Sequence, residues 1–220
     1  MSEQAAVLEK LAEAVKSGNA ESSKDLTKKA LEMNLDPIVL IEEGLAKGLR
    51  AVGEAFGKGE LFLTDLMFAA EAMKGAVLLV DPVLQSRNKQ RKFKGSVLIG
   101  TVEGDIHDIG KSIVAATLEA NGFNVIDLGS DVPNSIFLSK SEELKPDIVG
   151  MSALLSTTML QQKLVTEGLA SRGLREALKV MIGGAPVSAQ WATEIGADAY
   201  GVDADDAAKK ALQLVGESRQ

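Results

Sequence analysis

Asp105, His107 and Gly110 lie within six residues of one another, and His107 is the only histidine in the 220-residue chain. An imidazole two residues from a carboxylate has three uses. It can act as a general base oriented by Asp105, although no Ser or Cys stands in a nucleophile motif. It can be a loop histidine bonded to backbone. It can also ligate a metal, with the carboxylate behind it fixing the ring. One imidazole cannot cage a bare ion, and the chain has no cysteine, so a metal would have to arrive inside a macrocycle.

One competing motif fails on spacing. Gly104 to Ser112 ends in Gly-Lys-Ser like a phosphate-binding loop, but five residues separate Gly104 from Gly110 where that loop has four. The position of its first glycine is Asp105, whose carboxylate repels phosphate. No G-x-G-x-x-G follows the preceding strand either, so ATP and dinucleotide readings are set aside.

The elements that must position these residues follow from hydrophobic patterning. Residues 96–101 form a continuous apolar run, the mark of a buried parallel strand. From Lys111, Ile113, Val114, Ala116 and Leu118 fit one face of a helix. Further strands are expected at 124–128, 147–151, 179–182 and 199–201. Helices are expected between them at 111–121, 134–143, 157–171, 187–195 and 204–215. Alternating units of this length imply a parallel, doubly wound sheet. Its strand-end loops open on one edge, where such sheets bind ligands.

Residues 1 to 88 read instead as helices at Gln4–Lys16, Ala20–Met33, Asp36–Gly57 and Leu63–Leu84. Asp36 is the expected N-cap before Pro37. The last helix carries an apolar face of Leu66, Met67, Ala70, Met73, Ala76 and Val77. The fold class is therefore an N-terminal four-helix bundle cap, residues 1–88, followed by a Rossmann-like (flavodoxin-like) five-stranded parallel sheet domain, residues 89–220. The polar, basic stretch 86–94 is the expected linker. A net charge of -7 argues against nucleic acid. No apolar run approaches a bilayer span and the N-terminus lacks a leader pattern, so no membrane is expected and the expected location is cytoplasmic.

Three separated signals then coincide. Asp105-x-His107-x-x-Gly110 is followed after 41 residues by Ser152-x-Leu154, and after 28 more by Gly183-Gly184. In residues and spacing this resembles the cobalamin-binding module of methionine synthase. The resemblance extends to the cap, whose turn Phe56-Gly57-Lys58-Gly59-Glu60-Leu61-Phe62-Leu63 is similar to that family's. A cap plus one such domain resembles the corrinoid methyl-carrier proteins of methyltransferase systems.

That resemblance implies a cobalamin or related corrinoid, with His107 as the lower axial ligand of cobalt in place of the cofactor's own base. It implies Asp105 on the other imidazole nitrogen, and Thr158, serine in methionine synthase, bonded to Asp105. Gly104, Ile106, Asp108, Ile109 and Gly110 would complete the loop below the corrin. Ser152 would bond the displaced base, Ser156 and Ala204 would line the corrin and nucleotide tail, Leu154 and Tyr200 would be among the cofactor-binding residues, and Gly183 and Gly184 would let that tail pass. Glu42, Phe56, Leu63 and Leu66 match cap positions above the upper face, where a methyl group is carried between cob(I)alamin and methylcobalamin. The implied protein is no catalyst alone. Its partners would be a substrate-specific methyltransferase, a corrinoid:acceptor methyltransferase serving tetrahydrofolate, tetrahydromethanopterin or a thiol, and a reductive activator. A cobalamin-dependent sensor or regulator with the same two domains is the alternative.

Overall fold

The computed structural model describes residues 3–87 and 91–217. Residues 88–90 of the expected linker, and the boundary placed at 88, lie outside the described residues. The chain divides into two compact units, Met1–Lys92 and Phe93–Gln220. No described helix is long and apolar enough to cross a membrane.

The first unit is helical: α1 (Glu3–Lys16), α2 (Ala20–Glu32), α3 (Pro37–Val39), a π-helical turn (Leu40–Leu45), α4 (Ala46–Gly57) and α5 (Leu63–Ser86). α1 packs on α2 and α4, and α5 packs on the same two, so the four long helices close into a bundle. Local chemistry starts the helices. Asn19 and Asp36 accept the backbone N–H of Ser22 and Ile38, both at 2.9 Å. The Phe62 N–H donates to Asp65 at 2.8 Å, opening α5.

Two expectations for this unit need correction. The third helix is continuous but not uniform, because the Ala46 N–H bonds Ile41 across a π turn. The apolar face of α5 is Leu66, Ala69, Ala72, Met73, Ala76, Val77, Val80 and Leu84, while Met67 stays 46% exposed. Adjacent residues differ by about 100° around a helix, so Leu66 and Met67 cannot both point inward in full.

The second unit alternates strictly. Its strands are β1 (Ser96–Thr101), β2 (Asn124–Asp127), β3 (Ile148–Ser152), β4 (Lys179–Gly183) and β5 (Ala199–Gly201). Its helices are α6 (Ile109–Ala120), α7 (Asn134–Leu144), α8 (Leu160–Ser171), α9 (Ala189–Glu194) and α10 (Ala204–Glu217). The sheet is parallel throughout, in the order β2-β1-β3-β4-β5. One face buries Leu98, Val149, Val180 and Ile182 with Phe137, Leu169 and Trp191; the other buries Val97, Ile99, Ile148 and Met181 with Leu118, Ala211 and Val215. Strands apolar on both faces need helices on both, and the alternation supplies them.

Candidate functional site

The strand order reverses between β1 and β3. β1 leads on to β2 on one side, and the chain then returns to place β3 on the other. Ligands of open α/β sheets bind at this crevice. Here it is flanked by the β1–α6 loop, residues 102–108, and the β3–α8 loop, residues 153–159.

Asp105 joins the two loops. It is fully buried and accepts five hydrogen bonds. Its Oδ1 takes the His107 N–H at 3.1 Å and His107 Nδ1 at 2.7 Å. Its Oδ2 takes Thr158 Oγ1 at 2.7 Å, the Leu154 N–H at 2.7 Å and the Leu155 N–H at 3.3 Å. Burial alone would push this carboxyl up, but the bonds from Thr158, Leu154 and His107 outweigh it and hold it well below the ordinary carboxylate range. The carboxylate is thus ionised and can only accept, so His107 Nδ1 donates to it, and Nε2 takes no part in that bond on a side chain 48% exposed. Thr101 Oγ donates to the His107 carbonyl at 3.0 Å and steadies the loop from below.

The β2 side holds the same loop by contacts that sequence reasoning did not assign. Asp131, at a φ of 52°, accepts the Gly104 N–H at 2.7 Å and donates its own N–H to the Asp105 carbonyl at 2.8 Å. Lys111, to which the sequence reading gave no role, is buried and pairs with Asp108 and Asp127. Its ammonium holds the Asp108 carboxyl below the ordinary range against partial burial, with help from Ser112. Ile113 and Val114, expected on the buried face, are only partly covered; Ala115, Ala116, Thr117, Leu118 and Ala120 are buried. The signal for Lys111 was the Gly-Lys-Ser triplet, which explained nothing once phosphate was excluded.

Ser152 ends β3 and pairs with Thr101. Ser156 is exposed on the same β3–α8 loop as Leu154. Gly183 ends β4, and a Cβ there would lie 3.4 Å from the Gly201 carbonyl of β5. At Gly184 the φ is +127° and a Cβ would fall 1.8 Å from the Ala153 carbonyl oxygen, so only glycine fits. Ala204 opens α10 behind the β5 loop, where Asp203 accepts the Asp206 N–H at 2.8 Å and Asp206 accepts the Val202 N–H at 3.0 Å. Tyr200 lies apart, three strands from β1. It lines a cavity of about 390 Å³ with Ala192, Lys210 and Gln213 rather than the crevice beside His107.

In the helical unit, Glu42 is exposed on the π turn, Phe56 and Leu63 are half-buried, and Leu66 is fully buried in the stripe of α5. Leu66 is thus a core residue in this structure. An interior residue of the π turn and a carbonyl bonded by Arg50 Nη2 at 3.0 Å mark out Glu42 from ordinary helix surface.

The donor set suits a corrinoid. Among the described residues no group of three His, Cys, Asp or Glu could hold a bare ion, whereas a macrocycle leaves one axial position for one imidazole. Around that imidazole Ile106 is 76%, Ile109 74% and Leu154 42% exposed, an apolar rim suited to a flat ring rather than to water. Gly110 faces open space.

Known proteins carry the same features. A B12-binding domain model matches residues 95–212, and a second B12-binding domain model matches residues 7–80. The trimethylamine corrinoid protein of Methanosarcina barkeri is 47% identical over 93% of this chain and 94% of its own. A corrinoid protein of Desulfitobacterium hafniense is 42% identical over 96% and 98%. Among solved structures, the methanol:cobalamin methyltransferase complex MtaBC of Methanosarcina barkeri matches with a TM-score of 0.88 at 33% identity, covering 96% of this chain and 80% of that one. With an imidazole presented from a parallel-sheet crevice, a helical unit before it and relatives alike along nearly their whole length, the chain belongs to the family of B12-binding corrinoid proteins.

Proposed function

We propose that this protein carries a methyl group on a bound corrinoid, receiving it from a donor-specific methyltransferase and yielding it to a corrinoid:acceptor methyltransferase. The observation that carries the reading is His107, with Nδ1 locked to a buried, ionised Asp105 and Nε2 free at the sheet's switch point. Bound there, the corrinoid supplies a cobalt that can take up a methyl group and release it.

The chain's own residues supply the rest. His107 Nε2 would be the protein's ligand to the cobalt, with Asp105 orienting the ring through Nδ1 while Thr158 holds the carboxylate. Ile106, Ile109 and Leu154 would shield the bound group from water. Gly183 and Gly184 leave room for the nucleotide tail, with Ser152, Ser156 and Ala204 at its borders. The donor is selected by the partner enzyme, and methylamines come first, given the 47% identical trimethylamine relative. Tetrahydrofolate, tetrahydromethanopterin and a thiol are the acceptor classes, and reactivation of oxidised cofactor falls to a separate reductase.

With one histidine per chain, labelling with 15N-histidine marks one imidazole. Protein reconstituted with hydroxocobalamin and taken to its cobalt(II) form should show the 15N splitting in electron paramagnetic resonance, and His107→Ala should lose it. Unaltered splitting on labelling would sink the axial assignment. Incubating the reduced holoprotein with trimethylamine, methanol and methoxyarenes should give no methylation until a partner methyltransferase is added. Rapid methylation without a partner would make the protein an enzyme in its own right.

A further inference from the structure

Lys111 is the one buried cation among the described residues: its side chain is 0% exposed, while its partners Asp108 and Asp127 are 48% and 38% exposed. It sits in the first turn of α6, where the helix dipole disfavours a positive charge. Burying an ammonium is costly and seldom the most stable choice for a core position. Its geometry gives it another use. Asp108 follows His107 in the loop, 2.8 Å from Lys111 Nζ, and Asp127 ends β2 on the neighbouring strand, where its Oδ1 also accepts the Gly129 N–H at 2.9 Å. Asp105 ties the loop toward β3, and the Asp108–Lys111–Asp127 chain ties it toward β2. The imidazole stands between the two ties.

We infer that Lys111 is a positioning residue, a second anchor that fixes the direction in which His107 presents Nε2 to the corrinoid. This rests on the axial-ligand reading above. Lys111 touches neither the imidazole nor any reacting atom; it acts through the backbone between Asp108 and Gly110. Lys111 is the only fully buried member; Asp108 and Asp127 are partly exposed, although Asp108 Oδ1, the oxygen that faces Lys111, is itself buried. Replacing Lys111 with an apolar chain therefore leaves that one oxygen unpaired while the rest of both carboxylates stays open to water.

Lys111→Met should lower the thermal midpoint of the cofactor-free protein but leave it folded, since only the Asp108 Oδ1 atom loses its buried partner. Amide hydrogen exchange across residues 102–110 should meanwhile quicken about tenfold, as a locally loosened segment does. In holoprotein made with hydroxocobalamin and 15N-histidine, the population with histidine coordination in the cobalt(II) form should fall by about tenfold against base-coordinated or unligated forms, the scale found when support behind a metal ligand is lost. Asp127→Asn cuts only the cross-strand leg at a partly exposed position. It decides the matter if Lys111→Met does not fold, and it should show the same two changes. Lys209→Met, at an exposed ion pair on α10, is the control and should show neither. Full histidine coordination with unchanged loop exchange in both variants overturns the inference. A wild-type protein lacking histidine coordination overturns the axial reading and this anchor with it. The wild-type spectrum tells that failure from failure of the anchor alone.

Discussion

The β1 and β4 strands each end in a loop that meets the β3–α8 loop, and the two are built on opposite principles. The loop after β1 works by side chains that are present. A buried carboxylate gathers five donors and turns an imidazole outward. The loop after β4 works by a side chain that is absent, since Gly184 lies so close to Ala153 that a Cβ would overlap its carbonyl. A polar network loses strength by degrees as its bonds are removed. A backbone contact does not yield by degrees, because neither partner can rotate away. Substitutions in the two loops should differ accordingly.

The largest effect belongs to Gly184→Ala. It combines a left-handed backbone with a contact of 1.8 Å to a carbonyl oxygen, so the β3 and β4 ends must part. A loss of about 4 kcal/mol or more is expected, in the range reserved for a forced backbone shift. The denaturant midpoint of the cofactor-free protein measures it. A variant within 1 kcal/mol of wild type, on the scale of an ordinary surface change, would show that the β4 loop is as yielding as the β1 loop.

Asp105→Asn comes next, at about 3 kcal/mol, because the amide cannot accept from all five donors and brings an N–H₂ among them. Its effect should depend on pH. The carboxyl is held well below its ordinary 3.8 in the folded protein, so the unfolded chain binds a proton first. The stabilisation is complete above about pH 5 and drains away as pH falls through about 4 toward the depressed folded value. Chemical denaturation of wild type and variant from pH 7 to pH 2 should show the gap closing at the acid end. A gap independent of pH would mean that shape, not charge, sustains the loop. Thr158→Val removes one donor of the five and should cost about 1.5 kcal/mol, whereas Thr158→Ser should keep the bond and most of the stability.

The same contrast explains what could be read from the sequence. The β1 loop was legible because its chemistry is carried by residue types, an isolated histidine and a carboxylate two places before it, whereas the hydroxyl of Thr158 in the facing loop was implied only by the family resemblance. The strand-end glycines were legible as positions, through their spacing, but not as a contact with Ala153, which depends on how closely β3 and β4 approach. Lys111 was invisible for a different reason. Amphipathic patterning assigns lysine to the solvent side of a helix, and its burial depends on Asp127, a residue on another strand brought near by parallel pairing. The π turn at Leu40–Leu45 was equally hidden, because one extra residue in a helical turn leaves the hydrophobic period almost intact. The strand alternation was plain because the inner strands β1, β3 and β4 are apolar runs buried on both faces. The inward face of α5 was not, because Leu66 and Met67 are equally apolar and only packing separates them.

The smallest effect on folding is expected at Gly110, and it sharpens the comparison most. Gly110 belongs to the same three-part signature as Gly184, yet it sits in the first turn of α6 with nothing within 4 Å of where a Cβ would be. No left-handed φ is required of it. Nothing in the folded chain therefore explains a glycine there, and helix propensity argues for alanine. Gly110→Ala should raise the stability of the cofactor-free protein by about 0.5 kcal/mol. If the space above Gly110 is kept for the corrin ring, the added methyl meets the ligand instead of the protein. Overpacking by one methyl costs about 1.4 kcal/mol or more, so hydroxocobalamin affinity should fall by at least about tenfold. Opposite signs in the two measurements, a firmer fold and a weaker complex, are what separate a glycine kept for a ligand from one kept for a backbone contact. Equal affinity in Gly110→Ala would place the corrin elsewhere along the crevice, and the case for the β1 loop would then rest on His107 alone.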